Sequence, residues 1–491
     1  MEDLGFPFWL RAAHFINLFC MFLLIRSGIQ ILADHPKLYW NDDAKPGSEW
    51  IKFGKKLMPK DRLWTSMDEA ETVNSIIALP GGHHNLGAGR RWHFLTILVW
   101  VINGVLYVSL LFATGQWRRL IPTSWDILPA AWHSAVTFAT FHIPPESSFH
   151  PYDPLQQLTY AAIVFLVAPM MILTGLCMSP AFIARFPWYP KLFGGRQVAR
   201  SFHFLGLVTL VSYIVLHVTL VLVVHFFSNI GNMVFGDPHF HPELAAAIAA
   251  FGLLGVLAFH VAATRWTLGH QRTFQVLGDR VLEPVLRALF GRLRSRQHYA
   301  VSEITAHLRV NGYPPVSSEF QSLVGRGFDG WALKICGLVE RPLSLSLDDL
   351  RQLPKQEQIT KHNCIQGWSG VAEWGGVPMH AIMRLCRPLP HVRYVAFHAF
   401  MQAEYAPDSY YEVLTLDEVL DPQTILAYEM NWKPLPVEHG APCRLRIETK
   451  TGYKMVKYLR AVEFISEVRR VGQGYGGYRE DHQFYDKVAS I

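Results

Sequence analysis

Five apolar stretches fill the first half of this 491-residue chain, at 8–32, 92–114, 158–178, 198–227 and 244–264. Each matches the roughly 20 residues a helix needs to cross bilayer hydrocarbon, where every backbone N–H and C=O must be satisfied inside the segment. The chain must therefore thread a membrane five times before reaching its second half. Charged residues make up only 17% of the whole, against about 25% in a typical soluble domain, and the deficit is concentrated in this half. The lead 1–7 is acidic, the run behind it is too long for a cleavable signal, and no twin arginine precedes it. The first stretch is accordingly expected to be a retained helix.

The connecting segments differ in character. The 34–91 loop is long and heavily charged, and the 115–157 loop contains a semi-apolar piece, 132–143, suited to the interface. A basic, helix-like linker follows at 271–296, with Leu and Val at helical spacing. It reads equally as an ordinary amphipathic surface helix or as one lying on the bilayer. From about residue 300 the pattern turns to strand-like runs such as Trp331-Ala-Leu-Lys-Ile-Cys, Val392-Arg-Tyr-Val-Ala-Phe and Cys443-Arg-Leu-Arg-Ile, with Pro/Gly turns and short helical pieces at 347–353 and 379–385. The expected organisation is a five-helix transmembrane bundle (1–265), a basic amphipathic linker (266–300) and a mainly β (α+β) soluble domain (301–491).

The net charge of +6 is modest and its basic residues sit in loops beside the spans, which reads as a topology signal and makes no case for nucleic acid. The six cysteines are scattered without a Cys-x-x-Cys, which argues against an iron–sulfur cluster or a disulfide framework.

Ionisable side chains inside spanning helices are costly and usually functional. Four histidines form a pattern: His14 in the first span, His93 in the second, and His203 and His217 in the fourth. The last two are 14 residues apart, nearly four helical turns, so they share one side about 21 Å apart along the axis. One helix can thus offer a ligand to each of two stacked haems. Alternation of helix direction pairs His93 with His203 and His14 with His217 as bis-histidine axial ligands. His225 and His260 also fall in spanning segments without evident partners and read as structural or quinone-pocket groups. This arrangement resembles the diheme b-type cytochrome subunits of nickel–iron hydrogenases and formate dehydrogenases over about 8–264, which implies exchange of electrons with membrane quinone.

In the soluble part, the segment from Thr360 to Val377, Thr-Lys-His-Asn-Cys-Ile-Gln-Gly-Trp-Ser-Gly-Val-Ala-Glu-Trp-Gly-Gly-Val, sets Cys364 in a Gly/Trp-rich turn. Chemistry alone favours a buried structural cysteine there, because no neighbouring Cys or His stands at metal spacing. The surrounding segments change that reading. Arg309-Val-Asn-Gly, Trp331-Ala-Leu-Lys-Ile-Cys-Gly-Leu-Val-Glu-Arg-Pro, Leu426-Ala-Tyr-Glu-Met-Asn, Glu438-His-Gly-Ala-Pro-Cys-Arg-Leu and Thr451-Gly-Tyr-Lys-Met-Val-Lys occur in order with it. From about 308 onward the chain resembles the sulfite oxidase superfamily, in particular the bacterial branch that includes the methionine sulfoxide reductase catalytic subunit. The resemblance implies a molybdopterin domain with Cys364 as the molybdenum thiolate. It further implies that His439 and Arg444 hold the pyranopterin or its phosphate, and that Met455, Val456 and Lys457 cradle the phosphate. Asn311 is a further candidate for the same pocket. Cationic forks and free amides are what a phosphate requires.

The resemblance implies a molybdopterin-dependent oxidoreductase in a bacterial inner membrane, with quinone, the bilayer and a small-molecule substrate as partners and a homodimer as a candidate assembly. Quinone is expected near the His14/His217 end, with His133 or His142 as candidate contacts. Sulfite oxidases set arginines around the metal, whereas Cys364 is followed by Ile-Gln-Gly-Trp-Ser. That favours reduction of a sulfoxide-like oxide; the rivals are a quinone-reducing sulfite dehydrogenase and a non-catalytic electron-transfer cytochrome. Lys and Arg crowd the loops on the soluble-domain face, while the other face has Arg11, Arg118 and Arg119, so the molybdopterin domain is expected in the cytoplasm. The Gly472-Gln-Gly-Tyr-Gly-Gly run lacks a strand–turn–helix context and reads as a flexible tail.

Overall fold

The computed structural model describes residues 5–59, 61–142, 152–291, 293, 297–402, 409–486 and 491. Residues 1–4 of the acidic lead, Ile143 of the interfacial piece and 292 and 294–296 of the linker lie outside them. Five helices are long and apolar enough to span a membrane: α1 (Phe8–Asp34), α2 (Leu86–Ala113), α3 (Pro154–Met178), α4 (Arg196–Val223) and α5 (Pro242–Gly269). Their outward surfaces are apolar and exposed, as Val105, Val215, Phe251 and Leu254 show, which is the reverse of a soluble bundle and suits contact with lipid. The third span passes through a π turn at Ile163–Val167.

Two expectations need correction here. The fourth span ends at Val223, short of 227, because Val224 is extended and His225 takes a left-handed conformation; Asn229 Nδ2 caps the freed Val224 carbonyl at 2.8 Å. His225 therefore sits at a helix break and outside the span. The glycine run at 472–477 is also ordered. Positive φ angles at Gly472, Gly474 and Gly476 fold it back, and Val413 N–H donates to the Gly476 carbonyl at 2.9 Å.

After α5 the chain turns at His270 into α6 (Gln271–Phe290). Its buried side, Phe274, Gln275 and Gly278, rests on the start of α2 and on the C-terminal segment, while Leu277, Val281 and Leu289 are exposed. Gln275 Nε2 donates to the Gln483 and Tyr485 carbonyls. Arg91, wholly buried, joins α6 to the tail through Asp279 (2.6 Å) and Asp486 (2.5 Å).

The soluble domain is two five-stranded sheets around one core, following a small ribbon, β1 (Lys37–Leu38) and β2 (Ile51–Lys52), in the first loop. The first sheet has the order β4 (Leu343–Ser346), β3 (Ala332–Gly337), β12 (Leu459–Ile465), β7 (Tyr394–Gln402) and β8 (Ser409–Thr415), with only the β3–β12 pair parallel. The second runs β10 (Lys433–Pro434), β9 (Ile425–Met430), β6 (Ser369–Pro378), β5 (Gln356–Asn363), with β11 (Arg444–Arg446) also on β9. Alternating apolar positions of both sheets, among them Leu333, Ile335, Phe397, Leu426, Val462 and Phe464, close the core. The short helices fall at Leu347–Gln352 and Met379–Cys386.

Candidate molybdenum and haem sites

Cys364 stands in the tight turn between β5 and β6. Its N–H donates to the Trp368 carbonyl at 3.0 Å, and Gly367 N–H returns to the Cys364 carbonyl at 3.2 Å. The thiol is 2% exposed. Asn311 Nδ2 lies 3.7 Å from Sγ, and Sγ lies 3.7 Å from Gln366 Oε1. Burial pushes the thiol up to about 12, so a thiolate here needs a cation beside it, as a metal would supply.

Against this turn lies a cavity of about 1070 Å³, counting space open to solvent. Ile365, Gln366 and Trp368 of the turn line it, as do Asn311, His439, Arg444, Met455 and Lys457. Val456 turns into the hydrophobic core instead. The Met455 and Val456 N–H groups are taken by the Gly452 and Lys454 carbonyls at 3.1 and 3.2 Å. In this turn the cationic group facing the cavity is therefore the Lys457 ammonium, with those two amides engaged.

Cations dominate the cavity. Arg444 is held by the His439 carbonyl at 2.7 Å and lies 4.9 Å above the Trp374 ring; burial, then the neighbouring Arg446, lower it to about 9. Lys457 Nζ donates to the Asn311 and Glu438 carbonyls at 2.7 and 3.0 Å, and burial beside Arg444 brings it down to about 7. Burial and the same two cations lower His439 to about 3, leaving it neutral. Among the described lining residues the sole carboxylate is Asp34. Asn311 Oδ1, Trp374 Nε1 and Arg444 Nε are buried without hydrogen-bond partners among the described residues. Unpaired polar atoms in a cationic cavity fit an anionic, hydrogen-bonding cofactor such as molybdopterin.

The sequence reading missed several lining residues. His362 precedes Cys364 by two positions on β5 and so shares its face, a signal that was legible. Burial and Arg446 keep it neutral, and Arg446 Nη1 stands 3.0 Å from its Nδ1, leaving Nε2 to carry the proton. Arg479 and Tyr410 also line the cavity, as do Asp34, Met67 and His84 from the membrane half, and nothing local announces them. The Ile-Gln-Gly-Trp-Ser run after Cys364 lacks arginine, and the fold brings Arg479 to the cavity from 115 positions on.

In the membrane half, His14 and His217 face each other with ring centroids 6.3 Å apart. Two metal–imidazole bonds of about 2 Å each, plus the half-width of each ring, account for such a separation. His203 lies within electrostatic reach of His93 near the soluble domain. Hydroxyl groups take the Nδ1 atoms: Ser27 with His93 (3.0 Å), Thr174 with His203 (3.0 Å) and Tyr160 with His217 (3.2 Å). Each such contact fixes the ring and leaves Nε2 for a metal. A Cβ added at Gly28 would lie 3.8 Å from His93 Cε1, and one at Gly175 3.6 Å from His203 Cε1, so both rings pack on bare backbone. His260 is occupied by Arg26, Nη1 to Nδ1 at 2.9 Å. His133 and His142 are exposed on or just after the Ile127–Ala139 helix.

The membrane half and the Cys364 turn meet directly. Arg196 Nη1 donates to the Trp368 carbonyl and Gln197 Nε2 to the Gly367 carbonyl, both at 3.1 Å, from the first turn of the helix that carries His203 and His217. Gln366 Nε2 reaches the Asp34 and Ser66 carbonyls at 3.4 and 3.2 Å. Glu69 of the first loop receives Arg309, Lys37 (2.9 Å) and His35 (3.0 Å) in a buried cluster.

Residues 5–236 match the family model for prokaryotic cytochrome b561, and residues 323–471 match that for the oxidoreductase molybdopterin binding domain. Among solved structures, the chain is similar to the sulfane dehydrogenase SoxCD from Paracoccus pantotrophus. The identity is 23% over 30% of this chain and 41% of that one, with a TM-score of 0.26, so the match spans less than half of that protein's chain.

Proposed function

From the premise that this chain joins a cytochrome b561-type membrane unit to a molybdopterin-binding oxidoreductase domain, we propose that it links the membrane quinone pool to oxygen-atom transfer on a small molecule. His14 with His217 and His93 with His203 would hold two b-type haems. Cys364 would bind molybdenum through its thiolate, and Asn311, His439, Arg444 and Lys457 would hold the pyranopterin and its phosphate. When bound, these groups supply a one-electron relay and two-electron oxygen-atom chemistry. The chain's own residues do the rest. Ser27, Thr174 and Tyr160 aim the imidazoles, the cationic cavity neutralises the cofactor, and the buried turn shields the thiolate from water.

The observation that carries this reading is the contact of Arg196 and Gln197 with the Cys364 turn. His203 follows Arg196 by seven residues, about 10 Å of helix. One rigid helix thus fixes the distance between the upper haem ligand and the molybdenum ligand. Quinone binds at the other end, where Tyr160 and Tyr213 pack on His217.

Reduction of a sulfoxide-like oxide is the favoured direction. A second reading, sulfite-type oxidation with quinone as acceptor, gains support from Arg479, since a guanidinium beside the cavity suits an oxyanion. Stopped-flow spectra of the haems separate them. Methionine sulfoxide should reoxidise the quinol-reduced haems; reduction of oxidised haems by sulfite would establish the second reading. If neither happens and Cys364→Ser changes no redox behaviour, the protein is an electron-transfer cytochrome.

In this proposal the molybdenum domain faces the cytoplasm. Arg91, Arg196, Arg200 and Lys37 are buried in contacts, so the charges left to act on topology are exposed ones such as Lys55, Lys56 and Arg62. Protease protection in right-side-out against inverted vesicles tests the placement.

A further inference from the structure

Behind the molybdenum cavity lies a cluster of charges that the reading above leaves unused. Lys454 Nζ donates to Glu412 Oε2 at 2.7 Å and also bonds Glu480 Oε1, and all three side chains are 0–1% exposed. Lys454 donates as well to the Gly476 carbonyl at 3.2 Å. Glu412 Oε1 and Glu480 Oε2 are buried without hydrogen-bond partners among the described residues. Two carboxylates around one ammonium leave a net negative charge in the dry interior, which is costly unless the pair keeps a proton.

The other charged and titratable neighbours offset that charge only in part, Lys450 lying within electrostatic reach of Glu480. Lys450 is paired with Glu418, and Arg479 is turned toward Gln483 and Met67. Asp481 is engaged elsewhere, accepting from the Tyr411 hydroxyl and from the Gln473 and Tyr475 N–H groups. Tyr453 donates away, to the Asp486 carbonyl. Burial first, then the second carboxylate, push Glu412 well above the ordinary carboxylate range; Glu480 shifts the same way through burial.

Tyr410 connects this cluster to the site. It precedes Glu412 by two positions on β8, so both lie on one face, beside each other. It also lines the molybdenum cavity, and its hydroxyl sits 2.7 Å from the Tyr453 carbonyl at the cavity wall.

We propose that Glu412 and Glu480 share one proton around Lys454 and exchange it with the molybdenum cavity through the Tyr410 hydroxyl. The proposal rests on the oxygen-atom-transfer reading. Reduction of an oxide XO takes two electrons and two protons, XO + 2e⁻ + 2H⁺ → X + H₂O. Quinol supplies the electrons, the acid pair supplies one proton, and the second comes from solvent. The pair is left as two carboxylates around Lys454 and is reprotonated from solvent; oxidation of a substrate runs the same steps backwards.

Infrared difference spectra of the full-length holoprotein, oxidised against reduced, read the proton directly and need no substrate. The expected result is a carboxylic acid C=O band that changes with redox state and is abolished in Glu412→Gln. Tyr410→Phe, which leaves the cluster's charges intact, should retain the acid band but lose its redox response, with molybdenum and haem content unchanged. Absence of a carboxylic acid band in the wild-type protein, or a redox response that survives Tyr410→Phe, overturns the proposal. Haems that respond to no oxide or oxyanion while the band behaves as expected would instead sink the oxygen-atom-transfer reading and leave the shared proton standing.

Discussion

Arg196, at the first turn of α4, donates to the carbonyl of Trp368 at 3.1 Å, so a helix that carries two histidines into the membrane begins in contact with the Cys364 turn. Arg196 also donates to the Met178 carbonyl, which ties the end of α3 to the same point. The membrane and soluble halves are therefore joined at the Cys364 turn.

Removing that contact should slow communication without emptying either site. In Arg196→Met with Gln197→Ala, molybdenum and haem content are expected to stay, because no ligand is altered. Unpaired buried carbonyls cost about 1–3 kcal/mol each, enough to loosen the helix–turn distance. Substrate-driven haem reoxidation should fall at least tenfold while quinol reduction of the haems is unchanged.

Cys364→Ser should abolish substrate turnover, since a hydroxyl is a poor replacement for a soft thiolate ligand. The haem spectrum is expected to be intact. Metal analysis beside the haem absorbance separates this outcome from general misfolding.

Each histidine pair should answer for one haem. His203→Ala or His93→Ala is expected to halve the haem content and to break substrate-linked reoxidation. His217→Ala or His14→Ala should halve it as well, but to block reduction by quinol instead. Haem assays and low-temperature spectra of the single variants distinguish the two.

Glu69 supplies the prediction about stability and pH. Burial alone would raise its carboxyl, but the bonds from His35 and Lys37 and the charge of Arg309 outweigh this and hold it well below the usual range. His35, lowered to about 3 chiefly by burial, is neutral and donates its Nδ1–H. A carboxyl depressed on folding contributes stability that is full above its unfolded value, near 4.3, and is lost as pH falls toward the folded value. Thermal stability should thus be flat in this term at neutral pH and drop below about pH 4. Glu69→Gln should remove about 3–5 kcal/mol, because it strands the Arg309 and Lys37 cations in the interior. A melting curve of the variant that loses stability at pH 7 and no longer steepens in acid would confirm it.

The cofactor cations should act separately from the metal ligand. Lys457→Met and Arg444→Met are each expected to lower molybdopterin retention several-fold, with the haem content unaffected. Pterin fluorescence after denaturation measures it.

The sequence by itself determined the class of this protein. Five apolar runs dictate five helices, because hydrocarbon offers no other partner for the backbone, and the structure has those five spans. The 14-residue spacing of His203 and His217 sets both on one helix nearly four turns apart, since helical rise and period are local properties. The Cys364 turn was legible through its neighbours in sequence. What tertiary structure alone decided was everything assembled from a distance. Arg479 reaches the cavity from 115 positions beyond Cys364, Asp34 and His84 reach it from the membrane half, and Glu480 joins Glu412 and Lys454 only when the glycine run folds back. That run read as flexible because local propensity favours no structure there. It is ordered because burial behind β8 and bonds from Val413 and Lys454 outweigh the conformational entropy that glycine carries. Local periodicity is written in the order of residues, whereas cavities and charge clusters arise from packing between segments, for which one sequence holds no period to read.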